Sequence, residues 1–284
     1  MPDQSYSFLF NDTPIRGKLV HTSESYLAIL KKQQYHSKIQ TLLGEFMCAA
    51  ALLSSTLKFE GKLTLQIKSE GTLKLLVAEC ENQQYLRAIA RIKGEVYDSS
   101  ELLNNLQLAI TIKPRKGKQY QGIVNTEEQS LAASLERYFS QSEQLPTRLW
   151  LACDRKTASG LLLQKLPQEK SEITDEETQL ENWNRFCLLA DTCTQEELLS
   201  LNTETLLHRL YHDEKYQIFD PSPLTFRCQC SRERSSNALL ILGQADALKL
   251  AAEQPEITID CQFCHQTYTF SRSDIRSLFN GTRH

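Results

Sequence analysis

Three features of the sequence predict an α+β protein. Apolar residues recur at helical spacing near the start, they alternate with polar ones through a long middle stretch, and two close cysteine pairs stand near the end. The expected architecture is a core domain with a mixed, antiparallel-rich sheet and packed helices, then a helical linker, then a small C-terminal four-cysteine domain. Because the strand-like segments mostly follow one another without helices between them, antiparallel pairing is favoured over a doubly wound parallel sheet.

Leu42, Phe46, Ala49 and Leu53 carry the helical period, which predicts helices over residues 23–30 and 37–57 as the opening elements of the domain. After Gly61 the period changes to two. Leu63, Leu65 and Ile67 alternate with Thr64 and Gln66, and strands are expected over 63–67, 73–80, 86–92, 108–112 and 120–124. Glu70-Gly71 and Lys116-Gly117 read as turns between them. A helix over 127–140 follows, then strands over 147–153 and 161–166 around a loop at Ser159-Gly160. This completes a core domain over residues 1–168.

Acidic residues then crowd the chain from Glu169 to Glu181, with Thr174 and Glu177 spaced as a capping box; a solvated helix start explains them without a ligand. Leu180, Trp183, Phe186, Cys187 and Ala190 trace an apolar helical face. Thr194 and Glu197 repeat the capping pattern, and Leu198, Leu206, Leu207 and Leu210 continue the amphipathic stretch. A helical linker is therefore expected over 169–222, ended by Pro221 and Pro223, and a third domain over 223–284.

Composition narrows the function classes. The 284 residues are 40% hydrophobic and 24% charged, an ordinary globular balance. A net charge of −3 gives no global basic field to capture nucleic acid or an anionic membrane. No apolar run approaches the roughly 18 residues of a membrane span, and the start lacks a basic-then-apolar leader. A cytoplasmic protein with no nucleic-acid or membrane partner is expected. Nine cysteines, an odd number in a long chain, fit reduced thiols better than a disulfide scaffold. Cys48, Cys80, Cys153, Cys187 and Cys193 lie in apolar or helical patterns and read as small core hydrophobes.

The other four differ. Cys228-Gln229-Cys230 and Cys261-Gln262-Phe263-Cys264 form two short-range pairs, the arrangement that supplies a tetrahedral four-thiolate cage for zinc at about 2.3 Å per bond. The tail is short enough that its apolar core is marginal without a metal. His265 reads as a turn residue, not a fifth donor. His208 and His212, four apart on a helix, lack a third ligand nearby. Arg227, Arg232 and Arg234 flank the first pair and leave open a zinc-ribbon nucleic-acid binder, although Glu233 interrupts them and no aromatic array accompanies them. A thiol-disulfide oxidoreductase is a further alternative, but its Cys-x-x-Cys belongs at a helix N-terminus after a strand. No phosphate-loop, dinucleotide, metalloprotease or serine-hydrolase motif is present, so no catalytic centre is expected.

The order Cys-x-Cys then Cys-x-x-Cys, with Ser231-Arg232-Glu233-Arg234 after the first pair and Tyr268 after the second, resembles the bacterial redox-regulated holdase family, the 33-kilodalton heat-shock proteins. Arg16-Gly17-Lys18-Leu19-Val20, residues 56–61 and 87–94, Tyr120-Gln121-Gly122, residues 142–148 and Arg209-Leu210-Tyr211-His212 are similar to family segments as well. The resemblance implies ATP-independent binding of unfolding client proteins after oxidation. It places Cys228, Cys230, Cys261 and Cys264 as zinc ligands, pairs Cys228 with Cys230 and Cys261 with Cys264 on oxidation, and implies a homodimer when oxidised and hand-over to ATP-dependent foldases. If the linker helices depend on the folded tail, its unfolding would free an apolar face with Trp183, Phe186 and Leu206 for clients.

Overall fold

The computed structural model describes residues 1–57, 60–94, 102, 106–126, 130–167 and 176–280. The chain opens with strands, not with the helices expected. In β1 (Gln4–Phe10) the alternation of Tyr6, Phe8 and Phe10 places three rings on one face, and β2 (Ile15–Thr22) answers with Ile15, Gly17 and Leu19. The two pair antiparallel from Gln4↔His21 to Leu9↔Arg16. The helical period then holds for α1 (Glu24–Leu30) and α2 (Ser37–Ser54). Asp3 caps α1 from a distance: its carboxylate accepts from the backbone N–H groups of Ser23, Glu24 and Ser25 at 2.6, 3.1 and 2.6 Å.

β3 (Gly61–Lys68), β4 (Leu73–Glu81), β5 (Tyr85–Ile92), β6 (Leu106–Pro114) and β7 (Tyr120–Thr126) confirm the period-two stretch as an antiparallel run. α3 (Leu131–Tyr138), capped by Ser130, passes into a π-helical turn at Phe139–Glu143. Of the helix expected over 127–140, residues 127–129 lie outside the described residues. β8 (Thr147–Cys153) falls where the alternation put it. Ser159 and Gly160, expected in a loop, lie inside β9 (Ala158–Lys165) opposite His21 and Val20. The turn sits earlier, where the Asp154 carboxylate accepts from the Lys156 and Thr157 N–H groups. Gly160 is a packing glycine: a Cβ there would stand 2.8 Å from Leu52 of α2.

After these come α4 (Glu176–Asp191), α5 (Gln195–Ser200), α6 (Thr203–Tyr211) and three short strands, β10 (Tyr216–Ile218), β11 (Ser222–Pro223) and β12 (Thr225–Phe226). The capping box at Thr194 and Glu197 is formed, whereas Thr174 of the earlier one lies outside the described residues. One sheet runs β10-β1-β2-β9-β8, with β11 also on β1; the other runs β12-β5-β4-β3-β6-β7. All pairs are antiparallel except β12 with β5. α2 is apolar almost all round and joins one core with Val20, Leu149 and Leu162 of the first sheet and Leu65, Ile67 and Leu108 of the second. The other face of the first sheet is covered by Phe186, Ala190, Leu198, Leu206, Leu207 and Leu210 from α4 to α6.

The chain separates into two compact units, Met1–Arg227 and Cys228–His284. In the second, α7 (Arg232–Leu242), α8 (Gln244–Glu253) and α9 (Arg272–Asn280) surround the hairpin of β13 (Glu256–Asp260) and β14 (Thr267–Ser271). Its core is small: Leu239, Ala247, Ala251, Ile257, Phe270 and Ile275.

Gly17 supports the helix-covered face in a specific way. A Cβ there would lie 1.9 Å from the tip of the Phe8 ring, so the ring needs the vacancy. Gly17→Ala should force Phe8 aside and destabilise the first unit by about 1–3 kcal/mol, read from urea unfolding followed by Trp150 and Trp183 fluorescence.

Candidate metal centre

The four cysteines of the tail converge. Cys228 and Cys230 sit on the segment entering α7, directly before Ser231, whose side chain accepts the Arg234 N–H as the helix cap. Cys261 and Cys264 sit in the turn between β13 and β14. That turn closes because the His265 N–H donates to the Cys261 carbonyl at 2.8 Å and the Cys261 N–H to the Gln266 carbonyl at 2.9 Å. His265 is left-handed (φ 57°), the turn role read from the sequence. Arg234 fixes the other segment by donating to the Gln229 carbonyl and side chain at 2.7 and 3.0 Å.

Across these segments Cys228 Sγ lies 3.5 Å from Cys261 Sγ, and Cys230 Sγ 3.3 Å from Cys264 Sγ. All four sulfurs fall within 4.8 Å of one another, the only such donor group among the described residues. Sulfur atoms on a zinc tetrahedron stand about 3.8 Å apart for bonds of about 2.3 Å, so the half-buried cluster fits a four-thiolate metal ion.

The Tyr268 hydroxyl donates to Cys230 Sγ at 3.1 Å. Burial works against ionisation of Cys230, yet the Tyr268 hydroxyl and the three neighbouring thiols hydrogen-bond to its sulfur and hold it at about 7. Burial pushes Cys228 and Cys264 up; hydrogen bonds to the other three sulfurs add to this at Cys264, whereas at Cys228 those with Cys230 and Cys261 raise and that with Cys264 lowers. Cys230 thus ionises more readily than Cys228 or Cys264, and a metal ion would have to displace the protons of those two.

The flanking arginines are engaged within the chain. Arg232 donates to the Thr269 carbonyl at 2.8 Å and to Asp274 at 2.9 Å, and lies over Phe270. Arg227 lies over Tyr85. Cys261 and Cys264 occupy a hairpin turn, without the helix N-terminus that activates a redox Cys-x-x-Cys. Cys48, Cys80 and Cys187 are buried and Cys153 and Cys193 half-buried, in keeping with their packing role. His208 and His212 face each other at 6.2 Å between ring centres.

Trp183, Phe186 and Leu206 lie together against the first sheet, far along the chain from the sulfurs. Phe186 and Leu206 are fully buried and Trp183 is half-buried. The Phe186 ring is 4.0 Å from Phe10, and Tyr211, whose hydroxyl donates to the Phe186 carbonyl, is 4.9 Å from Phe10. Sequence reading missed Phe8 and Phe10 as the floor of this surface; the alternation Tyr6, Phe8, Phe10 was the available signal. It also missed the bond from Tyr268 to Cys230, which no spacing rule announces.

The sequence profile of the Hsp33 protein family matches residues 3–271. The chain belongs to the Hsp33 family. Among its relatives, the 33 kDa chaperonin of Ectopseudomonas mendocina is 51% identical, over 99% of this chain and 96% of its own length. That of Azotobacter vinelandii is 49% identical, over 98% and 95%. The crystal structure of the Hsp33 homologue of Thermotoga maritima shares the fold, with a TM-score of 0.83 over 99% of both chains at 19% identity. Membership in the Hsp33 family supports a chaperone function, the binding of unfolded proteins and a role in stress. The four-cysteine cluster is compatible with a redox-regulated zinc site. Among the described residues no helix is long and apolar enough to cross a membrane.

Partners that hydrogen-bond to metal ligands commonly contribute 10–100-fold in affinity. Tyr268→Phe should therefore weaken zinc binding by roughly that factor, measured by competition with a chromophoric chelator.

Proposed function

We propose that this chain is a redox-regulated, ATP-independent holdase of the cytoplasm, inactive while reduced and zinc-loaded. The observation that carries the proposal is the convergence of four thiols in a unit whose apolar core has six buried residues among those described. Bound there, zinc would supply a fixed positive charge that keeps the sulfurs ionised and a tetrahedral template worth about 10–16 kcal/mol to a small fold. Cys228, Cys230, Cys261 and Cys264 are its proposed ligands.

Oxidation acts on the same four atoms. For each pair of thiols one hypochlorous acid, or one peroxide, takes two electrons: it converts one thiol to a sulfenic acid, releasing chloride and a proton, or water, and the neighbouring thiol then attacks that sulfur and expels its hydroxyl as water as the disulfide forms. Pairing Cys228 with Cys230 and Cys261 with Cys264 consumes all four donors. The disulfides close only very short loops and would not hold α7 to the β13–β14 hairpin as a shared metal would, so the small core would lose that support.

The functional division follows residues 168 and 222: a core, a releasable helical segment and a switch. Support comes from continuity of the chain. β12 holds to β5 by a two-residue parallel pairing, extended by the Arg227 N–H donating to the Leu86 carbonyl, and Cys228 follows at once. Unfolding of the tail therefore begins one bond from the last anchor of that segment. Release of α4 to α6 would bare Trp183, Phe186 and Leu206 together with Phe8, Phe10 and Leu161 beneath them, an apolar area suited to unfolding clients. Homodimerisation of the oxidised form and hand-over of clients to ATP-dependent foldases belong to the same proposal. Of the arginines near the cysteines, Arg232 is neutralised by Asp274, and Arg227 and Arg234 are held by Tyr85 and Gln229 within the chain, which gives the nucleic-acid alternative no support.

Treatment with hypochlorous acid should release about one zinc per chain, remove four thiols and switch on suppression of light scattering by a thermally unfolding client, all reversed by dithiothreitol. Retention of zinc, or its loss without holding activity, would refute the switch. Hydrogen exchange should show α4 to α6 losing protection in the oxidised form only; equal protection in both states would separate the helices from the switch.

A further inference from the structure

On the face of the first sheet opposite α4 to α6, two cations have no counter-charge among the described residues. Arg16 and Lys18 flank Gly17 on β2, so the strand alternation turns both away from the face where Gly17 receives Phe8. Both are half-buried. Among the described residues no carboxylate lies within ion-pair distance of either.

Neutral groups aim them instead. The Arg16 Nε and Nη2 donate to Gln164 Oε1 at 3.1 and 2.5 Å. Gln164, only 1% exposed, donates in turn to Thr147 Oγ1 at 2.8 Å, and Thr147 donates to the Leu145 carbonyl at 2.9 Å. Lys18 donates to Ser7 Oγ at 2.6 Å. These bonds lock the two side chains without removing any positive charge. They leave the guanidinium Nη1 and two ammonium hydrogens free to donate.

Adjacent half-buried like charges are costly, and such groups are ordinarily paired with an anion. The cost shows on Lys18, which burial, and then the charge of Arg16, hold down to about 8; burial lowers Arg16 as well. An oriented guanidinium beside an ammonium and a hydroxyl matches a compact tetrahedral dianion: the planar fork gives paired N–H donors, the ammonium a point charge and Ser7 a further hydrogen bond.

We propose that Arg16 and Lys18, positioned by Gln164 and Ser7, form a binding site for a phosphate-class oxyanion on the reduced protein. The group bound is either free phosphate or one phosphate of a longer phosphate chain. The site is independent of the cysteine switch.

Calorimetric titration of the reduced, zinc-loaded protein with inorganic phosphate and with tripolyphosphate, at matched ionic strength in chloride, tests it. Saturable binding is expected, weakened at least tenfold by Lys18→Gln and by Arg16→Gln, with circular dichroism and zinc content unchanged. Arg16→Lys, which keeps the charge and removes the fork, should also weaken binding and serves if Arg16→Gln does not fold. Tripolyphosphate binding at least tenfold tighter than phosphate assigns a phosphate chain; comparable affinities assign the free anion. Absence of saturable binding by either anion, or variants that bind like the wild type, would overturn the site.

Discussion

β9 has to be covered on both faces. Its consecutive Leu161, Leu162 and Leu163 are all fully buried, Leu162 toward α2 and the other two toward α4, α5 and α6. A strand with this pattern cannot leave one side to water without exposing several large side chains. The rest of the first unit follows from that demand: α2 is apolar almost all round because it fills the space between two sheets, and the helices after residue 176 cannot be idle connectors. Phe10, Phe186 and Tyr211 interlock where the demand is greatest.

The tail solves a different problem. Its six core residues among the described ones are too few to hold three helices and a hairpin securely, and four half-buried sulfurs meet between α7 and the hairpin. On the proposed zinc-bound reading, stability there would be concentrated in four atoms, whereas in the first unit the core is spread over dozens of side chains. A chemical change at those atoms would then dismantle one unit and leave the other standing. This separation of dependence is what a reversible switch attached to a robust body requires.

Much of this was legible in the sequence. The cysteine spacing, the β3 to β7 run, β8 and the cap at Thr194 all follow from local chemistry or period. The misses have two causes: tertiary contacts that no local window shows, and one local signal left unread. Gly160 resembles a turn residue but exists to admit Leu52, and the β1–β2 hairpin was passed over although Tyr6, Phe8 and Phe10 alternate. Asp3 caps a helix that starts some twenty residues later, a contact invisible to any short window. At the metal centre the ligands were plain and the Tyr268 hydroxyl was not, because its partnership depends on the register of β13 on β14.

β1 lies at the outer side of its sheet and is closed off by β10 and β11, five residue pairings supplied by the segment that also carries the docked helices. If that segment lifts as proposed, β1 would become an open strand with unpaired amide and carbonyl groups beside a newly bared aromatic row. Main-chain groups of this kind bond to any extended polypeptide whatever its side chains. Selectivity would then rest on the state of the captured chain, unfolded or folded, and not on its sequence, and re-docking of β10 and β11 would compete directly with whatever had been held.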